Sequence, residues 1–383
     1  ISNMFLDPKE RTIAIGVWIS SYSAGGVIGP LIGGVLLIHF WWGAVFLVAV
    51  PVMVLLLILG PILLPEFRNP EAGKLDFMSM LQSIVAVLAI IYGVKRWAES
   101  GFDWLWGAFI LAGLAVGVIF VRRQQQLAVP LIDMKLFSSP GFSAALGTCA
   151  FSFFMAFGSF FLIAQYLQFV LGMSPLEAGL CTAPSGLAFI VGSMLTSRLT
   201  GLLGPSRLMT AGLLVAAMGF AMLMLAGVSG GAALVTVAFV MFSLGLAPVF
   251  TLSTDMIVGA APPEQSGAAA AVSETNSEFA GALGIAILGS IVTSIYRGGI
   301  MESLPPGVPP EPAATASATV GGAIDAAAHL PGDLGAALLK AARAAYVDGF
   351  QATIGIGVVF LLIAAVVAAT MLRGVRIGAE SHA

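Results

Sequence analysis

Ten apolar runs, each long enough to cross a bilayer, govern what this chain can fold into. They lie at about 13–38, 44–64, 77–94, 105–121, 142–170, 177–197, 207–227, 232–254, 267–295 and 349–372. A helix of about 20 such residues spans a hydrocarbon core of about 30 Å. In lipid, only helices and closed barrels satisfy every backbone polar group. Continuous runs of this length select helices, so the expected fold class is an all-α membrane protein with ten transmembrane helices. Composition agrees. The chain has 383 residues, 59% hydrophobic and 9% charged, whereas soluble proteins carry about 25% charged residues.

An even number of spans puts both ends on one side of the membrane. The 16 Lys and Arg residues divide 11 to 5 between alternating sets of loops. The heavier set includes Arg68, Arg122, Arg123, Arg198, Arg207 and Arg373, and the positive-inside rule assigns it to the cytoplasm. A multi-pass protein of the cytoplasmic (inner) membrane with its C-terminus in the cytoplasm is expected. Ile1–Arg11 lacks the basic and apolar parts of a signal peptide, and an N-terminal part is expected to be missing.

Several function classes drop out. A net charge of −3 offers nothing to nucleic acid. Cys149 and Cys181 fall inside apolar runs, so free thiols are expected. His39, His329 and His382 are scattered and form no metal cluster. There is no GxxxxGK[ST] loop for a nucleotide, and no cofactor is implied.

Two charged, Pro-containing linkers, Pro65–Asp76 and Arg122–Pro140, divide the chain. Residues 1–76 hold two helices, and 77–140 hold a helical hairpin with the second linker. Residues 141–383 hold six helices and a long outside loop, 297–348. Six helices make one lobe in transporters whose halves are built from 3+3 repeats. In the outside loop, Pro305, Pro306, Pro309, Pro310 and Pro312 predict extended backbone. Leu334, Leu338 and Ala341 predict a surface helix over Gly332–Tyr346.

Within the ninth run, Gly267–Ile295, stand Glu274 and Glu278. Their i,i+4 spacing puts both on one helix face. At 1.5 Å per residue they sit roughly 10–17 Å in from Gly267. A carboxylate so placed costs about 2.5–3.5 kcal/mol on insertion scales and marks a functional site by default. It holds its proton until a cation or water arrives, and two neighbours titrate as a pair. The bland alternative is satisfaction by Ser273, Thr275, Asn276, Ser277 or a neighbouring helix.

In the first run, Gly25, Gly29 and Gly33 recur every four residues, a bare stripe for close helix contact. Gly26, Pro30 and Gly34 lie beside it, and Pro30 removes a helical donor. The fifth run is rich in aromatics. Phe154, Phe157 and Phe161, with Gln165 near the far end, are candidates for a pocket that takes flat lipophilic cations. Asp255, at the end of the eighth run, is a candidate accessory acid.

These motifs carry a resemblance. GVIGPLIGG resembles the antiporter motif on the fifth helix of the major facilitator superfamily. DPKERTIAIGVW resembles the approach to that helix in the 14-helix drug:proton antiporters. PLIDMKLF at 130–137, QYLQFVLGMSPLEAGL at 165–180 and TDMIVGAAPPEQSG at 254–267 follow in the family's order. AAAVSETNSEF resembles the acidic helix of the QacA/SmvA-like quaternary-ammonium exporters. The resemblance implies the major facilitator fold, with the last ten of fourteen helices present and 1–76 as the remainder of an N-terminal lobe. It implies proton-coupled efflux of lipophilic, often cationic drugs by the intact protein, acting as a monomer and not as an enzyme. Protons, the cations and the bilayer are the expected partners. It gives Glu274 and Glu278 the proton and cation coupling, and Gly25, Gly26, Gly29, Pro30, Gly33 and Gly34 the antiporter-motif packing. A non-transporting membrane fragment or assembly subunit is the alternative. An intramembrane lipid-modifying enzyme is weaker, because the glutamates have no accompanying nucleophile or metal set.

Overall fold

The structure, a computed structural model, describes residues 25–26, 28–63, 76–100, 103–127, 130–132, 134–138, 140–228, 231–259 and 266–371. All regular structure among them is helical. Among the described residues, nine helices are long and apolar enough to cross a membrane, and a tenth apolar helix, α1, covers Ile28–His39. The rest of the first expected span, residues 13–24 and 27, lies outside the described residues. The spanning helices are α2 (Ala44–Leu63), α3 (Phe77–Ser100), α4 (Trp104–Gln126), α5 (Pro140–Gln165), α6 (Pro175–Leu203), α7 (Pro205–Met222), α8 (Ala232–Gly259), α9 (Ser266–Glu302) and α12 (Gly332–Met371). Two short helices, α10 (Pro310–Ala318) and α11 (Val320–Ala328), intervene before α12.

Local chemistry sets these boundaries. Asp103 caps α4 by accepting from the Leu105 N–H. Ser174 and Glu177 form a reciprocal capping box at the start of α6, with Pro175 in the first turn, where a missing N–H costs nothing. A single residue, Gly204, joins α6 to α7. Its φ of +76° is a conformation that other residues rarely adopt.

The helices from α5 onward pack as a bundle. α5 lies along α9, α8 lies between α6 and α7, and α12 covers α7 and α9. Glycine sets the closest approach. A Cβ on Gly212 of α7 would stand 2.5 Å from the Gly245 carbonyl oxygen of α8, so the two backbones nearly touch. Around such contacts sit fully buried Tyr166, Tyr346, Phe220, Phe242 and Phe350. By contrast, no residue of α2 is buried.

The α3–α4 hairpin packs on α9. Its open end is fastened by a polar cluster. Arg123 donates to Asp76 from Nε and Nη2, and Ser79 donates to the same carboxylate. Gln124, buried, donates to Ser79, and its carbonyl oxygen accepts from the backbone N–H groups of Leu131 and Ile132. The chain leaving α4 is thereby turned back against the hairpin.

The segment expected to form the outside loop, 297–348, differs from expectation. Its Pro-rich part is not extended: Pro305–Val308 form a turn, closed by the Val308 N–H donating to the Pro305 carbonyl with Gly307 at a φ of +95°, and Pro310 and Pro312 stand in the first turn of α10, where proline is tolerated. The expected surface helix over 332–346 is the start of α12, unbroken to Met371. Ala316, Val320, Ala323 and Ala326 are buried, and the Tyr296 hydroxyl donates to the Ala316 carbonyl at 2.7 Å. The segment is a packed cap over one end of the bundle.

Candidate functional site

α5, α6 and α8 enclose a cavity of about 690 Å³, closed on one side by Gly25, Gly26 and Pro30. That volume suits a drug-sized ligand. Six aromatic rings among the described residues line the cavity. Phe157 and Phe160 come from α5, Phe189 from α6, and Phe239, Phe242 and Phe250 from α8. The rings brace one another: Phe153 meets Phe250 edge-on at 4.5 Å between centroids, and Phe250 meets Phe189 at 5.4 Å. Phe157 and Phe160 remain 38% and 41% exposed, so their faces are open to the cavity.

Among the described residues, no lining residue is charged. Thr182 and Ser185 bond to carbonyls of their own helix, and Ser243 adds a third hydroxyl to the wall. Two of the packed helices that contribute to the wall carry an internal proline, Pro184 in α6 and Pro248 in α8. Each frees a backbone carbonyl one turn earlier and loosens the helix at that level.

Glu274 and Glu278 stand on α9, both exposed. Neither has a hydrogen-bond or ion-pair partner among the described residues. The nearby polar groups are committed elsewhere. Thr275 and Ser277 donate to the carbonyls of Ala271 and Ser273. Asn276 donates across to the Leu146 carbonyl of α5 at 3.0 Å, and Ser277 meets the Cys149 thiol at 3.8 Å. The Asn276 and Ser277 flank thus holds α9 on α5 and leaves the glutamate flank open. Cys149 and Cys181 are free.

The acidic helix and the cavity meet at one side chain. Gly281 of α9 lies one turn beyond Glu278, and a Cβ there would stand 3.1 Å from the Phe157 ring. Phe157 therefore lines the cavity on one side and touches α9 on the other.

Among the other candidates of the fifth run, Phe161 packs near Gly289 of α9, and the Phe154 backbone crosses Gly284. Gln165 accepts from the Tyr346 hydroxyl at 3.2 Å. None of these three lines the cavity. Asp255 is exposed near the end of α8, and no hydrogen bond or ion pair joins it to either glutamate. Sequence reasoning did not single out Phe189, Phe239, Phe242 or Phe250. The usable signal was internal proline, Pro184 and Pro248, in two spans that contribute to the wall.

The glycine candidates divide. A Cβ on Gly34 would lie 2.6 Å from the Leu176 Cα of α6, and one on Gly179 would lie 3.0 Å from the Pro30 carbonyl oxygen. Gly25 and Gly26 line the cavity. Gly29 and Gly33 have open space before them among the described residues. The close crossing is made by the flank carrying Pro30 and Gly34.

Comparisons with known proteins agree with this architecture. The chain is 39% identical over 373 residues to the multidrug efflux pump LfrA of Mycolicibacterium smegmatis, a match covering 97% of this chain and 74% of that protein. It is 32% identical over 348 residues to the methyl viologen resistance protein SmvA of Salmonella typhimurium, covering 90% and 69%. The fold matches a bacterial homolog of the human lysosomal transporter Spinster, in an inward-facing and occupied conformation, with a TM-score of 0.54 at 21% identity, over 96% of this chain and 71% of that one. Residues 1–285 match the family described as Major Facilitator Superfamily, and this multi-pass membrane protein belongs to it.

Proposed function

We propose that the protein exports lipophilic, often cationic compounds across the cytoplasmic membrane in exchange for protons. The observation that carries this reading is the aromatic cavity joined through Phe157 to a helix with two carboxylates that have no partner among the described residues. The names of the relatives, a multidrug efflux pump and a methyl viologen resistance protein, support it.

The division of labour follows from the chemistry. The phenylalanine wall receives a ligand that has shed its water and holds a cation by ring faces, without a fixed counter-ion. Glu274 and Glu278 carry the exchangeable charge, a proton in one part of the cycle and the counter-charge to the cation in the other. Asp255 is the accessory acid. Gly25, Gly26, Pro30 and Gly34 close the cavity against α6, and Gly29 and Gly33 continue the bare flank of α1. The protein works as a monomeric transporter of the 14-helix antiporter type rather than as an enzyme. Its C-terminus is cytoplasmic, and the arginine-rich end of the bundle lies on that side.

The test is efflux of a monocationic and a dicationic dye from cells expressing the native gene. Glu274→Gln and Glu278→Gln should each impair efflux and blunt its dependence on the proton gradient, while dye binding to purified protein persists. Unchanged efflux in both variants would sink the coupling role.

A further inference from the structure

A second cavity, of about 790 Å³, opens between the α3–α4 hairpin, the chain after it and α9. Its depths are apolar: Ala86, Ile90, Gly113, Leu114 and Val118 line it, with Phe279 opposite. Its mouth is polar, with Arg122 and Gln125 at the end of α4. Gly113 and Arg122 stand nine positions apart on one helix, which is about 14 Å of rise. That is close to half of a hydrocarbon core of about 30 Å. The groove is one leaflet deep.

The mouth carries a positive charge that no described residue neutralises. Arg122 is exposed and has no carboxylate or hydrogen-bond partner among the described residues. Its neighbour Arg123 is taken by Asp76, so the two arginines are not equivalent. A guanidinium at this level can donate two bonds to a phosphate, and the Gln125 amide stands beside it. The helix dipole gives a further reason for an anion to need Arg122, since the C-terminal end of α4 is otherwise unfavourable to negative charge.

We propose that this groove is a binding site for one anionic phospholipid. An acyl chain lies along Ala86, Gly117 and Phe279, and the phosphate sits on Arg122. The lipid then walls the flank of α9 that carries Ala271 and Thr275, next to the flank that carries Glu274 and Glu278.

Native mass spectrometry of the purified chain tests this, with phosphatidylglycerol and phosphatidylcholine of identical acyl chains titrated in a mild detergent. The wild type should retain one lipid and prefer phosphatidylglycerol roughly fivefold, the worth of one basic side chain at an anionic surface. Arg122→Gln, on an exposed position, should still retain a lipid but lose the preference. Gly117→Leu should reduce retention of both lipids, because a Cβ at Gly117 meets only the Ala86 Cβ, at 3.9 Å, and a longer side chain would fill the groove. Equal retention by all three proteins would overturn the proposal, as would a preference surviving in Arg122→Gln. So would displacement of the lipid by a lipophilic dye such as ethidium, which would make the groove a substrate site.

Discussion

Arg123 clasps Asp76 through two hydrogen bonds, Nε to Oδ2 at 2.8 Å and Nη2 to Oδ1 at 3.1 Å, across the open end of the α3–α4 hairpin. Through Ser79 and Gln124 the clasp reaches the backbone of Leu131 and Ile132, and so sets where the chain turns toward α5.

The clasp should be insensitive to pH across the neutral range. The Arg123 guanidinium, and then the Ser79 hydroxyl, hold the Asp76 carboxyl far below the usual carboxylate range. A depressed value in the folded state gives stability that is present above the unfolded value, about 3.9 for Asp, and is lost as pH falls through the folded one. Amide exchange at Leu131 and Ile132, corrected for intrinsic rates, should therefore stay flat between about pH 8 and 5. Asp76→Asn should raise it throughout that interval. A wild-type rise near pH 6 would contradict the assignment.

Two glycines of one helix should respond oppositely to alanine. At Gly34 the new methyl would meet the Leu176 backbone at 2.6 Å, and backbone cannot step aside. Gly34→Ala should cost about 1–3 kcal/mol, in the range of overpacking. Gly29 faces open space among the described residues, so Gly29→Ala should be neutral or gain about 0.5–1 kcal/mol from helix propensity. Thermal unfolding of the two variants in detergent measures the contrast.

Ring faces, rather than apolar volume alone, should hold charged ligands. Phe250→Leu and Phe189→Leu keep the wall apolar but remove a π surface. Each should weaken a lipophilic cation by about two- to fivefold, equivalent to 0.5–1 kcal/mol, and leave an uncharged dye of similar size nearly unaffected. Fluorescence titration of purified protein gives both constants. Equal losses for the two dyes would show that only volume matters.

The cap should depend on one hydroxyl. Tyr296 is 1% exposed and donates to the Ala316 carbonyl. Tyr296→Phe leaves that carbonyl without its buried donor, which costs about 1–3 kcal/mol. Protease cleavage between α10 and α11 should quicken, while cleavage elsewhere stays unchanged.

Some of this was legible from residues alone, and the boundary has physical causes. Span positions follow from summed side-chain transfer energies, which are local. The run at 142–170 accordingly reappears as α5 with its π-helical extension Tyr166–Val170. The i,i+4 pairing of Glu274 and Glu278 is also local. Faces are not. Gly25, Gly29 and Gly33 recur with the same period as Gly26, Pro30 and Gly34, and only the arrival of Leu176 distinguishes them. Likewise Phe157 and Phe161 sit one turn apart, yet only Phe157 reaches the cavity. The cap escaped notice because alanine contributes little hydrophobicity per residue. Ala316 and Ala323 become meaningful only when Tyr296 and the start of α12 close over them.

The crossing of α1 and α6 is built from backbone, with Gly34 against Leu176 and Gly179 against Pro30. Most helix pairs interlock like gear teeth, and relative movement requires side chains to change rotamer. Where Gly34 and Gly179 make the contact there is no such tooth on the glycine side. The contact there is a plain bearing: backbone slides on backbone, and neither glycine has a rotamer to change when α1 moves against α6.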